Sequence, residues 1–529
     1  MAEIITAEKM AKSMREVSVA EFFEKNRHLL GYENPTKSLI TIVKERVDNS
    51  LDACDEANIL PTIKISMKPT TADRFRIVVE DNGPGVVEEK VPLAFGSLLY
   101  GSKFHRLRQS RGTQGIGVSG AILYSQLTTG KPAIVTSSTG KKINVFELSI
   151  NVANNQPKVI LHKRLNNPDK WCGVKIEMEA EGKYIERFQS IPEYLKQTAI
   201  ANPHAHIIYD GPNGRTDYKR SVNEPPEHPR EIKPHPHGIE LGILRRMILN
   251  TNTKSVIGFL TSDFSRVGKG SADQICKLAK IDCNSNPKKL STEDSDRLHK
   301  AMQMVKLIAP PTNCLSPLKE KTIVEGLKKE LQAEFFVSIS RSPTVYRGNP
   351  FQIEVGLAYG GALAQNETCK LYRFANKVPL LYNQSDCAIT EAVTEVDWRR
   401  YWLTQSTNAL PVGPLAILVH FASVWVPFTS EGKQAIASYP EIIKEIKLAL
   451  QDAGRKLSKF ISQQRRDRER QIRRQIFERY MPEVAESLSK LTEKDKKIIL
   501  KKLEYMIKNK TLIKEEIEEK KDETDEKEA

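Results

Sequence analysis

Apolar positions along this chain change period several times, and each change marks an element. Across residues 36–57 Leu39, Ile40, Val43, Val47 and Leu51 recur at helical spacing, while Glu45, Asn49 and Asp52 fall in a narrow sector on the other side. The pattern predicts a helix that buries one stripe and aims a carboxylate, an amide and a second carboxylate at a shared cavity. A solvated polar face is the plainer reading of the same spacing. From Arg74 to Glu80 the period drops toward two and β-branched residues dominate, predicting a strand that runs into Asp81-Asn82-Gly83-Pro84-Gly85.

Further strand-like runs lie at 62–67, 132–136, 143–150, 158–162 and 174–178, with helical patterns near 118–126 and 190–199. Several strands with a few helices predict a two-layer α/β (α+β) sandwich ending near Tyr209. Proline, histidine and polar residues from Pro212 to His237 read as a linker. Its His228, His235 and His237 fit a metal cluster less well than a proline-stiffened loop. Helical patterning fills roughly 238–304, with Gly268-Lys269-Gly270 at a helix start. Strand-like runs return at 333–341, 350–359, 370–374 and 414–422. One long amphipathic helix is predicted from Pro440 to Arg479, then a short helix beyond Leu488 and a charged tail from Glu515 that has the composition of disorder.

Three local patterns carry candidate chemistry. Asp81, at a strand end before flexible glycines, is placed to accept a hydrogen bond from an amino group on a heterocycle, although Asp-Asn-Gly is also an ordinary turn. In Arg111-Gly112-Thr113-Gln114-Gly115-Ile116-Gly117-Val118-Ser119-Gly120, glycine amides open an apolar helix, and unpaired N–H groups with the helix dipole favour a phosphate there. The intervening stretch from Gly96 to Arg111, with Ser102, Lys103, His105, Arg106 and Arg108, has the composition of a lid. Glu45 one turn from Asn49 suits water activation beside a hard divalent cation.

In this order the three patterns resemble the GHKL ATPases: gyrase, the large heat-shock chaperones, histidine kinases and MutL. The resemblance implies a Bergerat-type sandwich binding ATP and Mg2+. By it Glu45 is the general base, Asn49 the metal ligand and Asp81 the adenine reader. Gly85, Ser102, Lys103, Gly112, Gln114, Gly115, Ile116, Gly117, Val118 and Ser119 surround the nucleotide. One position departs: where the family has a Gly-Thr pair before the strand at 174–178, this chain has Cys172-Gly173.

Flanking segments resemble one family more narrowly. Ser18-Val19-Ala20-Glu21-Phe22-Phe23, Leu30-Gly31-Tyr32, Ser102-Lys103-Phe104, Ile191-Pro192-Glu193-Tyr194-Leu195 and Ala201-Asn202-Pro203-His204 are similar to the B subunits of type IIB topoisomerases, over about the first 480 residues. That resemblance implies an order of parts: an exchange strap at 1–18, the ATPase at 19–210, a linker at 211–237 and a helix–two-turn–helix module at 238–306. A transducer with its long helix follows at 307–480, then a partner-binding segment and tail at 481–529. A small helical domain with glycine caps fits 238–306 about as well. The same resemblance makes Thr429-Ser430-Glu431-Gly432-Lys433 a switch loop whose Lys433 reaches the terminal phosphate. It gives Asp397-Trp398-Arg399-Arg400-Tyr401-Trp402 a DNA-sensing role, against the alternative of core aromatics flanked by surface arginines. The implied partners are a DNA-cleaving A subunit in a heterotetramer of two copies each, double-stranded DNA, and a second copy of this chain once ATP binds.

Composition agrees. The 529 residues can bury about three cores, and a net charge of +15 favours a polyanionic partner. Arg465, Arg466, Arg468, Arg470, Arg473 and Arg474 concentrate that charge, as a solvated face or a phosphate-contacting one. Seven scattered cysteines without Cys-x-x-Cys spacing give neither a zinc knuckle nor a disulfide framework. No apolar run is long enough to span a bilayer and the start does not read as secretory, so a cytoplasmic, nucleoid-associated setting is expected. No acidic Asp-x-Asp cluster sits beside a tyrosine, so the chain is not expected to cut DNA itself. A MutL-like repair clamp is the alternative, but it would lack the helical insert. A histidine kinase would need a phosphoacceptor helix ahead of the site, and a chaperone an acidic linker and client domain.

Overall fold

The structure, a computed structural model, describes residues 7–11, 14–103, 106–112, 115–186, 189–430 and 432–506. The chain divides into two compact units, Met1–Gly454 and Arg455–Ala529.

The first unit is organised around the helix that the spacing predicted, Pro35–Glu56, called here the site helix. Asn34 caps it by accepting from the Lys37 N–H at 2.9 Å, and Pro35 supplies a preset first-turn φ. Leu39, Val43, Val47 and Leu51 are fully buried or nearly so. They pack on an eight-stranded sheet built from β1 (Thr62–Pro69), β2 (Arg74–Asp81), β3 (Ala133–Thr139), β4 (Lys142–Asn151), β5 (Gln156–Asn166), β6 (Cys172–Glu181), β7 (His206–Gly211) and β8 (Gly214–Tyr218). Its order is β5-β4-β3-β6-β2-β1-β7-β8, antiparallel throughout except for β1 beside β7. Helices Gly117–Thr129 and Ile191–Ala201 share the core with the site helix. This is the two-layer sandwich that the patterning implied.

Two strands lie beyond that expectation. The segment read as the start of a linker instead forms the β7–β8 hairpin across Pro212-Asn213. β8 is polar and nearly all exposed, so no apolar alternation announces it.

Four helices, Leu241–Asn250, Val256–Asp263, Lys269–Ala279 and Thr292–Met304, enclose a separate core around Leu244, Phe259, Leu260, Ile275 and Leu298. His235 and His237 sit against it, bonded to the carbonyls of Ile308 and Val305 at 3.2 and 3.0 Å. His228 lies instead against Asn58 Oδ1 at 2.6 Å, and among the described residues no group of three His, Cys, Asp or Glu side chains is placed to hold a metal ion.

The second sheet contains β9 (Phe335–Ser340), β10 (Thr344–Tyr346), β11 (Asn349–Tyr359), β12 (Lys370–Ala375), β13 (Val378–Pro379) and β14 (Leu415–Ser423). Its order is β10-β11-β14-β12-β13, with β9 also pairing β11. β14 is central, is apolar except for His420 and Ser423, and is buried along its whole length. Helix Glu320–Glu330 joins this sheet to the first through a core that includes Ile200, Ile323, Leu327 and Phe374. Trp398 belongs to the interior, with its indole N–H donated to Val393 O at 2.8 Å, whereas Arg399 and Arg400 are exposed beside Asp397.

Helix Pro440–Thr492 runs past the predicted end at Arg479 and through Pro482. Good helix formers flank that proline, and on an exposed helix the carbonyl it leaves unpaired is open to water. Within the second unit Ile472, Ile476, Tyr480, Val484 and Leu488 recur every four residues and are exposed. No described helix is long and apolar enough to cross a membrane.

Gly173, in β6, has φ +144, and a Cβ there would lie 2.0 Å from the carbonyl oxygen of Asp81. Glycine is therefore required at 173, and a threonine could not stand there. Gly173→Ala is expected to cost about 2–6 kcal/mol of stability by strain and overpacking. Denaturant unfolding beside the parent chain measures this; a loss within experimental error would contradict the geometry.

Candidate nucleotide-binding site

A cavity of about 340 Å³ opens between the site helix, the end of β2, the segment at 100–119 and the loop that carries Lys433. The site helix contributes Glu45, Arg46 and Asn49, the β2 end Asp81 and Gly85, and the lid segment Ser102, Lys103 and Gly112. Gly115, Ile116, Gly117, Val118 and Ser119 line it where helix Gly117–Thr129 begins, so that helix N-terminus faces the cavity. Every described residue that the resemblance assigned to the nucleotide lines this one space. Gln114 lies outside the described residues.

Glu45 and Lys433 both line the cavity, close enough for each to feel the other's charge. Lys44 lies 3.2 Å from Glu45 and 3.5 Å from Asp48. Burial opposes ionisation of Glu45, but the charges of Lys44 and Lys433 outweigh it and hold the carboxyl below its ordinary value. Asp48 goes the other way: burial raises it, and the Tyr194 hydroxyl donates to it at 2.9 Å. Lys433 has φ 51 and donates to Arg111 O at 3.1 Å, with burial depressing its ammonium below the usual range. A Cβ at Gly117 would fall 2.0 Å from Glu45 Oε2, so the start of helix Gly117–Thr129 approaches the carboxylate as closely as glycine alone permits.

Asp81 also lines the cavity, with all four of its acceptor positions used. Oδ2 receives Arg46 Nη2 at 2.5 Å and Ser50 Oγ at 2.9 Å; Oδ1 receives the N–H groups of Gly83 at 2.9 Å and Val174 at 3.1 Å. Arg46 escaped the sequence reading. Its signal was positional: 39, 43, 46 and 50 share a helix face, and a guanidinium in that buried row requires a carboxylate partner. Since Val174 directs its N–H at Asp81, the position beside this carboxylate is an apolar 174, and not the glycine at 173.

Asp52 departs from expectation. Rather than lining the cavity it is buried against the lid, bonded to Lys103 at 2.6 Å and to Arg111 at 2.8 Å. Arg111 also reaches Asp55 at 2.8 Å and Asn202 at 2.5 Å, and His204 meets Asp55 at 2.9 Å. These cations overcome the burial penalty and keep Asp52 and Asp55 below the normal carboxylate range.

The cluster continues into the second sheet. Asn376 donates to Ser110 O at 3.0 Å, Gln109 pairs with Ser316, and Lys377 donates to Ser316 Oγ at 3.0 Å. Burial and the nearby Arg111 charge lower Lys377 to about 8. The Lys377 N–H donates to His420 Nε2 at 3.0 Å, which fixes the proton on Nδ1, facing Glu354 at 2.8 Å. Sequence patterning revealed none of these links, because each joins residues far apart in the chain.

A helix N-terminus over a cavity, with a carboxylate–amide pair on one wall and a strand-end aspartate on another, defines a nucleotide-binding sandwich of the GHKL class. Residues 37–171 match the family model described as histidine kinase-, DNA gyrase B- and HSP90-like ATPase. Residues 310–473 match the model of the topoisomerase VI B subunit transducer. The chain is 45% identical over 493 residues to the B subunit of type 2 DNA topoisomerase 6 from Methanococcoides burtonii, covering 92% of this chain and 79% of the relative. With the protein of the same name from Pyrococcus horikoshii it shares 40% over 565 residues, covering 97% and 99%. The chain belongs to the family of type 2 DNA topoisomerase 6 B subunits.

Arg111→Met would leave Asp52 and Asp55 with too little positive charge, at an expected cost of about 3–5 kcal/mol near pH 7. Both carboxyls titrate lower folded than unfolded, so their bonds stabilise above the ordinary carboxylate pKa and are lost as pH falls through the folded values. The gap between variant and parent in urea unfolding should therefore narrow as the medium is acidified below about pH 4. A gap independent of pH would contradict the assignment.

Proposed function

We propose that this chain is the ATP-binding and ATP-hydrolysing subunit of a type IIB DNA topoisomerase. The observation that carries the reading is the convergence of Glu45, Asn49, Asp81, the glycine-led helix start and Lys433 on one cavity. Its volume lies at the lower end of the range for small-molecule sites. The residues fit a nucleoside triphosphate: an acceptor for the base at one end, and amides, a helix dipole and a lysine for phosphates at the other.

In this reading Glu45, kept ionised by Lys44 and Lys433, takes a proton from water as the water oxygen bonds the terminal phosphorus. The bridging P–O bond breaks, giving ADP and inorganic phosphate. Amides from Gly115 to Ser119 stabilise the phosphate oxygens, and Lys433 supplies a charge that binds triphosphate more strongly than diphosphate. Asn49, whose amide oxygen suits a hard cation, would hold Mg2+, which neutralises phosphate charge when bound.

Closure of two copies around ATP, braced by residues 1–18, would trap one duplex while a separate A subunit cuts another. The buried bridge from Arg111 through Asn376 and Lys377 supports transmission of lid state to the second sheet. The exposed apolar row at Ile472, Ile476, Tyr480, Val484 and Leu488 suits the A subunit, in a heterotetramer of two copies each. Arg466, Arg468, Arg473 and Arg474 suit duplex phosphates, and the setting would be the cytoplasm, at the nucleoid. A repair clamp is less favoured, since the helical core at 239–305 and the transducer match speak for the topoisomerase.

Glu45→Ala should bind ATP, lose hydrolysis by about 100-fold or more, and accumulate as a closed dimer. Steady-state phosphate release and cross-linking with ATP read the two effects. Hydrolysis at the parent rate would contradict the general-base role.

A further inference from the structure

The base end of the cavity holds a cation that the hydrolytic mechanism does not use. Arg46 lies on the site helix, lines the cavity and has a side chain only 5% exposed. Both of its hydrogen bonds leave from one nitrogen, Nη2, to Asp81 Oδ2 and to Val174 O at 2.9 Å. Nε is buried without a partner. Nη1 donates to no acceptor among the described residues. A guanidinium with spare N–H groups is thus fixed beside the carboxylate assigned to the base.

A purine opposite Asp81 brings two groups to that wall. The exocyclic amino group of adenine is a donor and suits the carboxylate. The adjacent ring nitrogen N1 is an acceptor and, once away from water, needs a donor of its own. Val174 has an apolar side chain, and its N–H is already given to Asp81. Gly173 has no side chain, and Ser50 donates to Asp81. Arg46 is the neighbour of Asp81 with donors to spare, and a charged donor strengthens the bond.

We propose that Arg46 is a second base-reading residue, donating to ring N1 of adenine while Asp81 accepts from the exocyclic amino group. The proposal rests on the ATP reading of this cavity and deepens it. Asp81 has no open acceptor position, so the arriving amino group displaces one of its four donors, and Arg46 is the one with a new acceptor at hand. Recognition becomes an exchange, in which the guanidinium moves from carboxylate to base.

The test compares ADP with 1-deaza-ADP, in which N1 is replaced by C–H, by calorimetric binding to the full chain. ADP avoids any turnover during the titration. The parent should prefer ADP by about tenfold or more, the worth of a charged hydrogen bond. Arg46→Leu should bind the two alike, and Arg46→Lys should recover part of the preference. A purely structural Arg46, holding Asp81 in place, would weaken both ligands equally and leave their ratio unchanged in the variant; that result overturns the proposal. So does equal affinity in the parent, which decides the matter even if Arg46→Leu fails to fold. A parent chain that binds neither ADP nor ATP would instead sink the nucleotide reading, and this proposal with it.

Discussion

Charge burial on the site helix governs the arrangement around it. Helix Pro35–Glu56 hides Arg46, Asp48 and Asp52 along with its apolar stripe. An ionised side chain removed from water is tolerated only with a partner at hydrogen-bonding distance. Each of these charges therefore dictates a contact elsewhere in the chain. Arg46 requires Asp81 at the end of β2, Asp48 requires Lys44 and Tyr194, and Asp52 requires Lys103 and Arg111 from the lid. The lid is thus tied by its own cations to the helix that bears Glu45.

That tie makes the site sensitive to its surroundings. Arg111 is shared between Asp52, Asp55 and Asn202, and Asn202 also donates to Lys377 O at 3.3 Å. Asn376 and Lys377 both adopt positive φ in the turn after β12 and reach the lid backbone and Ser316. Lys433 offers a separate route, through Arg111 O. The segment before Gly112 is thus held by two separate connections, one to the turn after β12 and one to the loop that carries Lys433.

Local signals were legible in the sequence. Glu45, Asn49, Asp81 and the glycine-rich helix start each depend on neighbours within one element, so their spacing disclosed them. Arg46 was not found, because its role depends on Asp81, brought near only by folding. Asp52 was aimed wrongly for a related reason: helical angle gives a direction, but Lys103 and Arg111 decide what lies there. β8 was missed because a polar, exposed edge strand has no period-two signature, and Pro212-Asn213-Gly214 looks alike in a linker and in a hairpin. The 397–402 segment carries both of its expected patterns, with Trp398 in the core and Arg399, Arg400 and Trp402 exposed.

In the proposed function, nucleotide binding in this cavity drives duplex passage. Its most direct test is decatenation of linked DNA circles by this chain with and without an A subunit of the same enzyme family, in the presence and absence of ATP. Separation of the circles only with both proteins and ATP is the predicted result. ATP hydrolysis with no separation under any pairing would contradict the account and favour the repair-clamp alternative.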